Sequence, residues 1–215
     1  MYKHVVFDID GTILDTDYAQ LSTCSKIVEM STGIYRPPEM YAHILGILND
    51  EHILASLGVR DADLYAMMWD DICEGLSAEV RAFDGILTTI DALAKDGKKI
   101  GIVTSRHRKY LSSDNDGIFE RQPFGTVICG DEVINPKPSP EPLNKYVAMN
   151  GIATRDVLYI GDSVMDYYCA KESGCDFGCV DWGKRKPDDA IDKAAFYFKH
   201  PSEIPVALGL TDKKQ

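Results

Sequence analysis

An α/β fold is predicted for this sequence by three observations: short apolar, β-branched runs, helix-period segments between them, and one long helical interval that breaks the alternation. Val5-Val6-Phe7, Ile100-Gly101-Ile102-Val103 and Val157-Leu158-Tyr159-Ile160 have the length and composition of strands buried on both faces. Strands alternating with helices imply a doubly wound, mostly parallel sheet with helices on both sides.

Taken in order, the first run ends in Asp8 and Asp10. About ninety residues then pass before the second run, where a simple crossover takes about 30 in all, so something is inserted. The signals within the insert are helical: Leu21, Cys24, Ile27 and Val28, then Asn49 as an N-cap before Ile53, Leu54 and Leu57, stopped by Gly58, then Leu64, Met67, Met68 and Ile72. The expected division is a core of residues 1–15 and 84–215 and a helical cap domain of residues 16–83. Beyond the insert, Ile86, Leu87, Ile90, Leu93 and Ala94 predict a helix before Gly97, and Leu143, Tyr146 and Val147 another before Gly151. Val127-Ile128-Cys129 and Phe177-Gly178-Cys179-Val180 predict two weaker strands, and Asn135-Pro-Lys-Pro-Ser-Pro-Glu-Pro142 a rigid loop.

Thirty-four acidic residues against 23 Lys and Arg give a formal net charge of -11. Such a chain has no basic surplus to neutralise nucleic-acid phosphates or an anionic membrane, although a local cation can still hold a small phosphate. The apolar run at the N-terminus is too short for a secretory signal, and no stretch is long enough to span a bilayer. Six scattered cysteines without a C-x-x-C pair read as reduced, buried thiols, so a cytoplasmic protein, a monomer or small homo-oligomer, is expected.

Ligands of a parallel sheet gather where strands end at their carboxyl edge. Asp8 with Asp10, Thr104 with Ser105, and Gly161 with Asp162 should therefore meet there. Facing carboxylates repel unless a divalent cation sits among them, and hard oxygen donors favour magnesium. Each piece also has a plainer reading. Asp10-Gly11-Thr12 could be a turn, Thr104 an N-cap, Asp162 and Asp166 dipole partners at the start of a helix, and Lys137 a solvated residue between two prolines.

The four pieces occur together and in order, and in that respect the chain resembles the haloacid dehalogenase-like hydrolase superfamily. Asp8-Ile9-Asp10-Gly11-Thr12-Ile13-Leu14, Thr104-Ser105, Lys137-Pro138 and Gly161-Asp162-Ser163 through Asp166 are similar to its motifs one to four. The insert directly after the first motif, Lys137-Pro-Ser-Pro-Glu-Pro142 and Val180-Asp-Trp-Gly183 resemble the phosphoglycolate phosphatase-like branch, with a Rossmann-like core and a helical (C1-type) cap. The resemblance implies a phosphatase in which Asp8 attacks phosphorus and Asp10 protonates the leaving oxygen, then activates water. It implies magnesium held by Asp8, the Asp10 backbone carbonyl and Asp162, with Asp166 as a further ligand or anchor. Thr104, Ser105 and Lys137 would bind the phosphoryl oxygens of a small phosphorylated substrate. Two departures stand out: Asp84-Gly85 where relatives often have Pro-Gly, and the basic run Arg106-His107-Arg108-Lys109, either a positive lip or a solvated face.

Two other functions share these residues. A phosphomutase of the β-phosphoglucomutase type would use the same motifs and return the phosphoryl group to its substrate. A signalling receiver domain has a similar acidic site, but the long insert and Asp10, which would hasten loss of the phosphoryl group, speak against it.

Overall fold

The computed structural model describes residues 2–45, 54–75, 80–111, 118–121, 123–183, 191 and 193–210. The chain divides into two compact units, Met1–Asp15 with Ala82–Gln215, and Thr16–Arg81.

The first unit is an α/β fold of the predicted class. Its six strands are β1 (His4–Phe7), β4 (Lys99–Val103), β5 (Phe124–Ile128), β6 (Val157–Gly161), β7 (Asp176–Val180) and β8 (Phe196–Phe198). They lie in the order β5-β4-β1-β6-β7-β8, every pair parallel. All four residues of β1 and all five of β6 are buried, as continuous apolar strands covered on both faces must be. The two-residue strands β2 (Leu14–Asp15) and β3 (Arg81–Ala82) mark where the chain leaves the sheet unit and returns. There the Phe83 N–H donates to the Ile13 carbonyl at 2.9 Å.

Of the described helices, α4 (Ile86–Lys95) buries Ile86, Ile90 and Leu93 at the predicted spacing, and the short α5 (Ile118–Arg121) precedes β5. Helices α6 (Glu141–Asn150) and α7 (Val164–Ser173) join one face of the sheet in a core of Val6, Val103, Ile128, Leu143, Tyr146, Tyr159, Tyr167 and Phe177. All six cysteines are free thiols, five of them buried. Among the described residues, no helix is long and apolar enough to cross a membrane.

The second unit is helical. Its long helix α1 (Asp17–Thr32) contributes Leu21, Cys24, Ile27 and Val28 to a core completed by Tyr41, Ile44, Leu54 and Val59. The predicted cap at Asn49 and its neighbour Ile53 lie outside the described residues. Downstream, the helical signal expected from Leu64, Met67, Met68 and Ile72 is borne out, but with a different set of inward residues. Two short helices form, α2 (Ala62–Met67) and α3 (Trp69–Gly75), and Leu64 and Met67 are exposed while Ala62, Tyr65, Ala66, Trp69 and Ile72 pack inward. Ile72 packs as expected, and the rings of Tyr65 and Trp69 take inward places that the other expected side chains do not.

Candidate active site

Because β1 lies between β4 and β6, the residues that follow these three strands are neighbours at one rim of the sheet. The ladder continues one step past β1, with the Asp8 N–H donating to the Ile160 carbonyl at 2.8 Å, and one step past β4, with the Thr104 N–H donating to Ile128 at 3.0 Å. Asp8 and Thr104 are consequently fixed by the sheet itself. Gly11, at φ 78°, then turns the chain, and a Cβ there would lie 2.3 Å from the Asp162 carboxylate. The glycine thus supplies both the left-handed turn and the space for that acid. From the far side the Trp182 indole N–H donates to the Thr12 carbonyl at 3.1 Å and braces the same loop.

Lys137 reaches into this rim from the Pro-rich turn before α6, with only 4% of its side chain exposed. Its ammonium donates to Asp8 Oδ1 at 2.8 Å, Asp166 Oδ1 at 2.6 Å and the Tyr159 hydroxyl at 3.2 Å, which uses all three of its protons. The Tyr159 hydroxyl has two acceptors within reach, the Val103 carbonyl at 2.8 Å and Asp166 Oδ1 at 2.7 Å. Asp166 sits at the third position of α7, where Ser163 caps the helix and its hydroxyl donates to Asp166 Oδ2 at 2.5 Å.

The electrostatics follow. Burial pulls Lys137 toward its neutral form, but Asp166 and Asp8 outweigh it and hold the ammonium charged well above the ordinary lysine range. Burial also opposes the charge on Asp166, yet Lys137 with the Ser163 and Tyr159 hydroxyls keeps this carboxyl below its usual range. Asp8 goes the other way. Its burial, together with the neighbouring charges of Asp166, Asp162 and Asp10, pushes it up despite Lys137.

Asp8, Asp162 and Asp166 are all buried, and one oxygen of each lies within 4.8 Å of the others. Three carboxylates facing one ammonium leave a negative surplus. An oxygen-only donor set with that surplus fits a hard divalent cation.

Asp10 points elsewhere. The Arg106 guanidinium grips it with two hydrogen bonds, Nε to Oδ2 at 2.9 Å and Nη2 to Oδ1 at 2.7 Å. Thr104 is buried, and its hydroxyl accepts the Arg106 backbone N–H at 3.2 Å, while Ser105 is exposed at the strand end. The helix expected to open at Thr104-Ser105 is corrected: the described chain there forms only a short turn, Arg108–Tyr110. Asp162 also precedes the cap residue Ser163, so it approaches from the loop and not from the helix face. Two residues at the rim escaped the sequence reading. Arg106 was seen only as part of a basic run. Tyr159 was read as core, although a buried tyrosine hydroxyl beside a strand end needs a polar partner.

A parallel sheet carrying a buried aspartate, a buried lysine and two further acids at its rim has the architecture of a phosphoryl- or acyl-transferring hydrolase. The comparisons agree: the model of the family "Haloacid dehalogenase-like hydrolase" matches residues 5–180, and the chain belongs to that family. The chain is 34% identical to a phosphoglycolate phosphatase of Shigella dysenteriae, across 97% of this chain and 93% of that protein. It is 28% identical to the N-acetylmuramic acid 6-phosphate phosphatase of Pseudomonas aeruginosa, across 94% and 92%. Among solved structures it resembles a HAD-superfamily hydrolase, subfamily IA, variant 1, from Geobacter sulfurreducens, with TM-score 0.73, 26% identity and 97% of each chain covered.

Proposed function

We propose that this protein is a magnesium-dependent phosphatase that hydrolyses a small-molecule phosphate monoester through an aspartyl phosphate on Asp8. The supporting observation is the buried Asp8 carboxylate, 2.8 Å from the Lys137 ammonium and within 4.8 Å of oxygens of Asp162 and Asp166. The phosphatases among its relatives support a small phosphorylated substrate. An acidic chain without a basic surplus suits a small phosphorylated molecule better than nucleic acid or a membrane.

In this reading an Asp8 oxygen forms a bond to phosphorus while the bond from phosphorus to the leaving oxygen breaks. Asp10 delivers a proton to that oxygen. Water then attacks the phosphorus of the aspartyl phosphate with Asp10 as base, releasing inorganic phosphate and restoring Asp8. Lys137 offsets the charge of the nucleophile and of the phosphoryl oxygens, as the approach of one anion to another requires. The Thr104 hydroxyl and the Ser105 backbone hold phosphoryl oxygens in line. Magnesium would be held by Asp8, the Asp10 carbonyl and Asp162, and it would neutralise negative charge accumulating during transfer. Asp166, already bonded to Lys137, Tyr159 and Ser163, serves chiefly to anchor the lysine. Residues 16–83 act as a cap domain that chooses the substrate.

The test is phosphate release from a panel of monoesters, including phosphoglycolate and N-acetylmuramic acid 6-phosphate, with magnesium or with chelator, by wild type and Asp8→Asn. Magnesium-dependent release lost in the variant is expected. Equal release by the variant removes the covalent route, and an isomerised ester without free phosphate replaces hydrolysis by mutase chemistry.

A further inference from the structure

The stretch Val180-Asp-Trp-Gly183 supplies none of the groups that react, yet its tryptophan touches the loop that carries Asp10. Residues 9–14 form a tight turn closed on itself. The N–H groups of Thr12, Ile13 and Leu14 converge on the Ile9 carbonyl at 3.2, 2.8 and 2.9 Å, and the Gly11 N–H donates to the Leu14 carbonyl at 2.9 Å. These bonds fix the shape of the turn but not its tilt against the sheet. At the near end the sheet decides, because the Asp8 N–H belongs to the ladder with β6. Further along, the turn is held from outside by the Phe83 N–H on the Ile13 carbonyl and by the Trp182 indole N–H on the Thr12 carbonyl at 3.1 Å.

Trp182 has a firm base from which to hold that tilt. The ladder runs one step past β7, with the Asp181 N–H donating to the Phe198 carbonyl at 2.8 Å, and Trp182 is the next residue. Its side chain reaches from β7, past the place of β6, to the loop that follows β1. An indole has a single polar proton, and the Thr12 carbonyl takes it. The Phe83 ring, which follows β3, packs edge-on against the indole with centres 6.5 Å apart. Asp8 and Asp10 are therefore positioned by different means: Asp8 is a rung of the ladder, and Asp10 rides on the turn. The Asp10 side chain lies against Arg106 in this structure and has to swing to serve a leaving oxygen, so the place of its backbone decides whether it arrives within about 3 Å. We propose that Trp182 is a positioning residue for the acid-base steps: through the Thr12 carbonyl it sets the tilt of residues 9–14, and so the reach of Asp10, while the placement of Asp8 does not depend on it. The proposal rests on the phosphatase reading and adds to it the residue that aims its acid.

Leaving groups separate the two aspartates. An alkoxide has to be protonated as it departs, whereas p-nitrophenolate leaves without a proton, and kcat/KM reports on that first transfer. Phosphoglycolate and N-acetylmuramic acid 6-phosphate are both alkyl esters, and the one that wild type hydrolyses faster is compared with p-nitrophenyl phosphate. Trp182→Phe removes the indole N–H and keeps a ring against Phe83. It should lower kcat/KM for the alkyl ester at least about tenfold more than for the aryl ester, since a well-placed acid contributes about a hundredfold or more. Phe83→Leu, which loosens the indole but spares its N–H, should show the same imbalance on a smaller scale. Equal losses on both esters, as a purely structural role would give, a larger loss on the aryl ester, or no loss on either overturns the proposal. If Trp182→Phe does not fold, the same outcomes in Phe83→Leu decide. Failure of the phosphatase reading is separate: no ester would release phosphate from wild type, or Asp8→Asn would release as much.

Discussion

At Lys137 every ammonium proton has an acceptor, and one of these, Tyr159, belongs to a strand otherwise made of apolar side chains. Tyr159→Phe should keep the packing but remove the hydroxyl that links Lys137, Val103 and Asp166. Urea unfolding should show a loss of about 1–2 kcal/mol, since the bond the hydroxyl accepts from Lys137 and the one it donates both disappear while the charged groups retain other partners. Stability equal to wild type would show that the hydroxyl contributes nothing. Asp8 and Asp162 directly follow strands, Asp166 lies in the first turn of a helix and Lys137 sits in a conformationally restricted loop, and those placements made them legible in the sequence. Their connections were not, because a ladder of apolar residues gives no sign of which tip reaches a charged neighbour. The partnership of Arg106 with Asp10 joins residues 96 apart in the chain, and no local pattern encodes it.

At the scale of elements, the packing of α6 on β4 depends on Gly101. A Cβ there would meet the buried Tyr146 ring at 2.3 Å, and that ring has little freedom to withdraw because its hydroxyl bonds the His4 ring at 2.9 Å. Gly101→Ala should therefore cost about 1–3 kcal/mol in chemical denaturation, as overpacked cores do. A second contact, between Arg108 and Glu132, makes a pH-dependent contribution. The hydrogen bond from Arg108, assisted by the Cys129 N–H, holds Glu132 below its ordinary value of 4.5. A carboxyl depressed in the folded state stabilises it fully above that ordinary value, and the contribution fades as pH falls through the lower folded value. Glu132→Gln should lower the melting temperature slightly at neutral pH, the pair being partly exposed, and the difference should close on acidification below 4.5. A difference that persists or grows in acid would reverse the sign. The five strands expected from apolar runs all formed. Strand β8 was missed because it is only three residues long and lies at the sheet edge, with Tyr197 exposed and Phe198 buried. The buried face of α2 and α3 was misjudged because methionine and leucine compete there with tyrosine and tryptophan, and only tertiary packing decides between them.

For the whole molecule, one sheet rim carries a negative surplus that the proposed cation would offset. Magnesium at a hundredfold above its dissociation constant should stabilise the folded protein by about 2.7 kcal/mol, or roughly 5–10 °C in melting temperature for a chain of this size. Asp162→Asn should lose most of that rise. No response of the wild type would leave the carboxylate cluster without its proposed occupant. The most direct measurement is made on the nucleophile itself. Enzyme quenched with acid during turnover of a phosphoryl-labelled ester, with magnesium present, should carry the label on the peptide that contains Asp8, in an acyl phosphate that borohydride reduces. Label on any other residue, or an Asp8→Asn protein that still acquires it, would contradict the central claim.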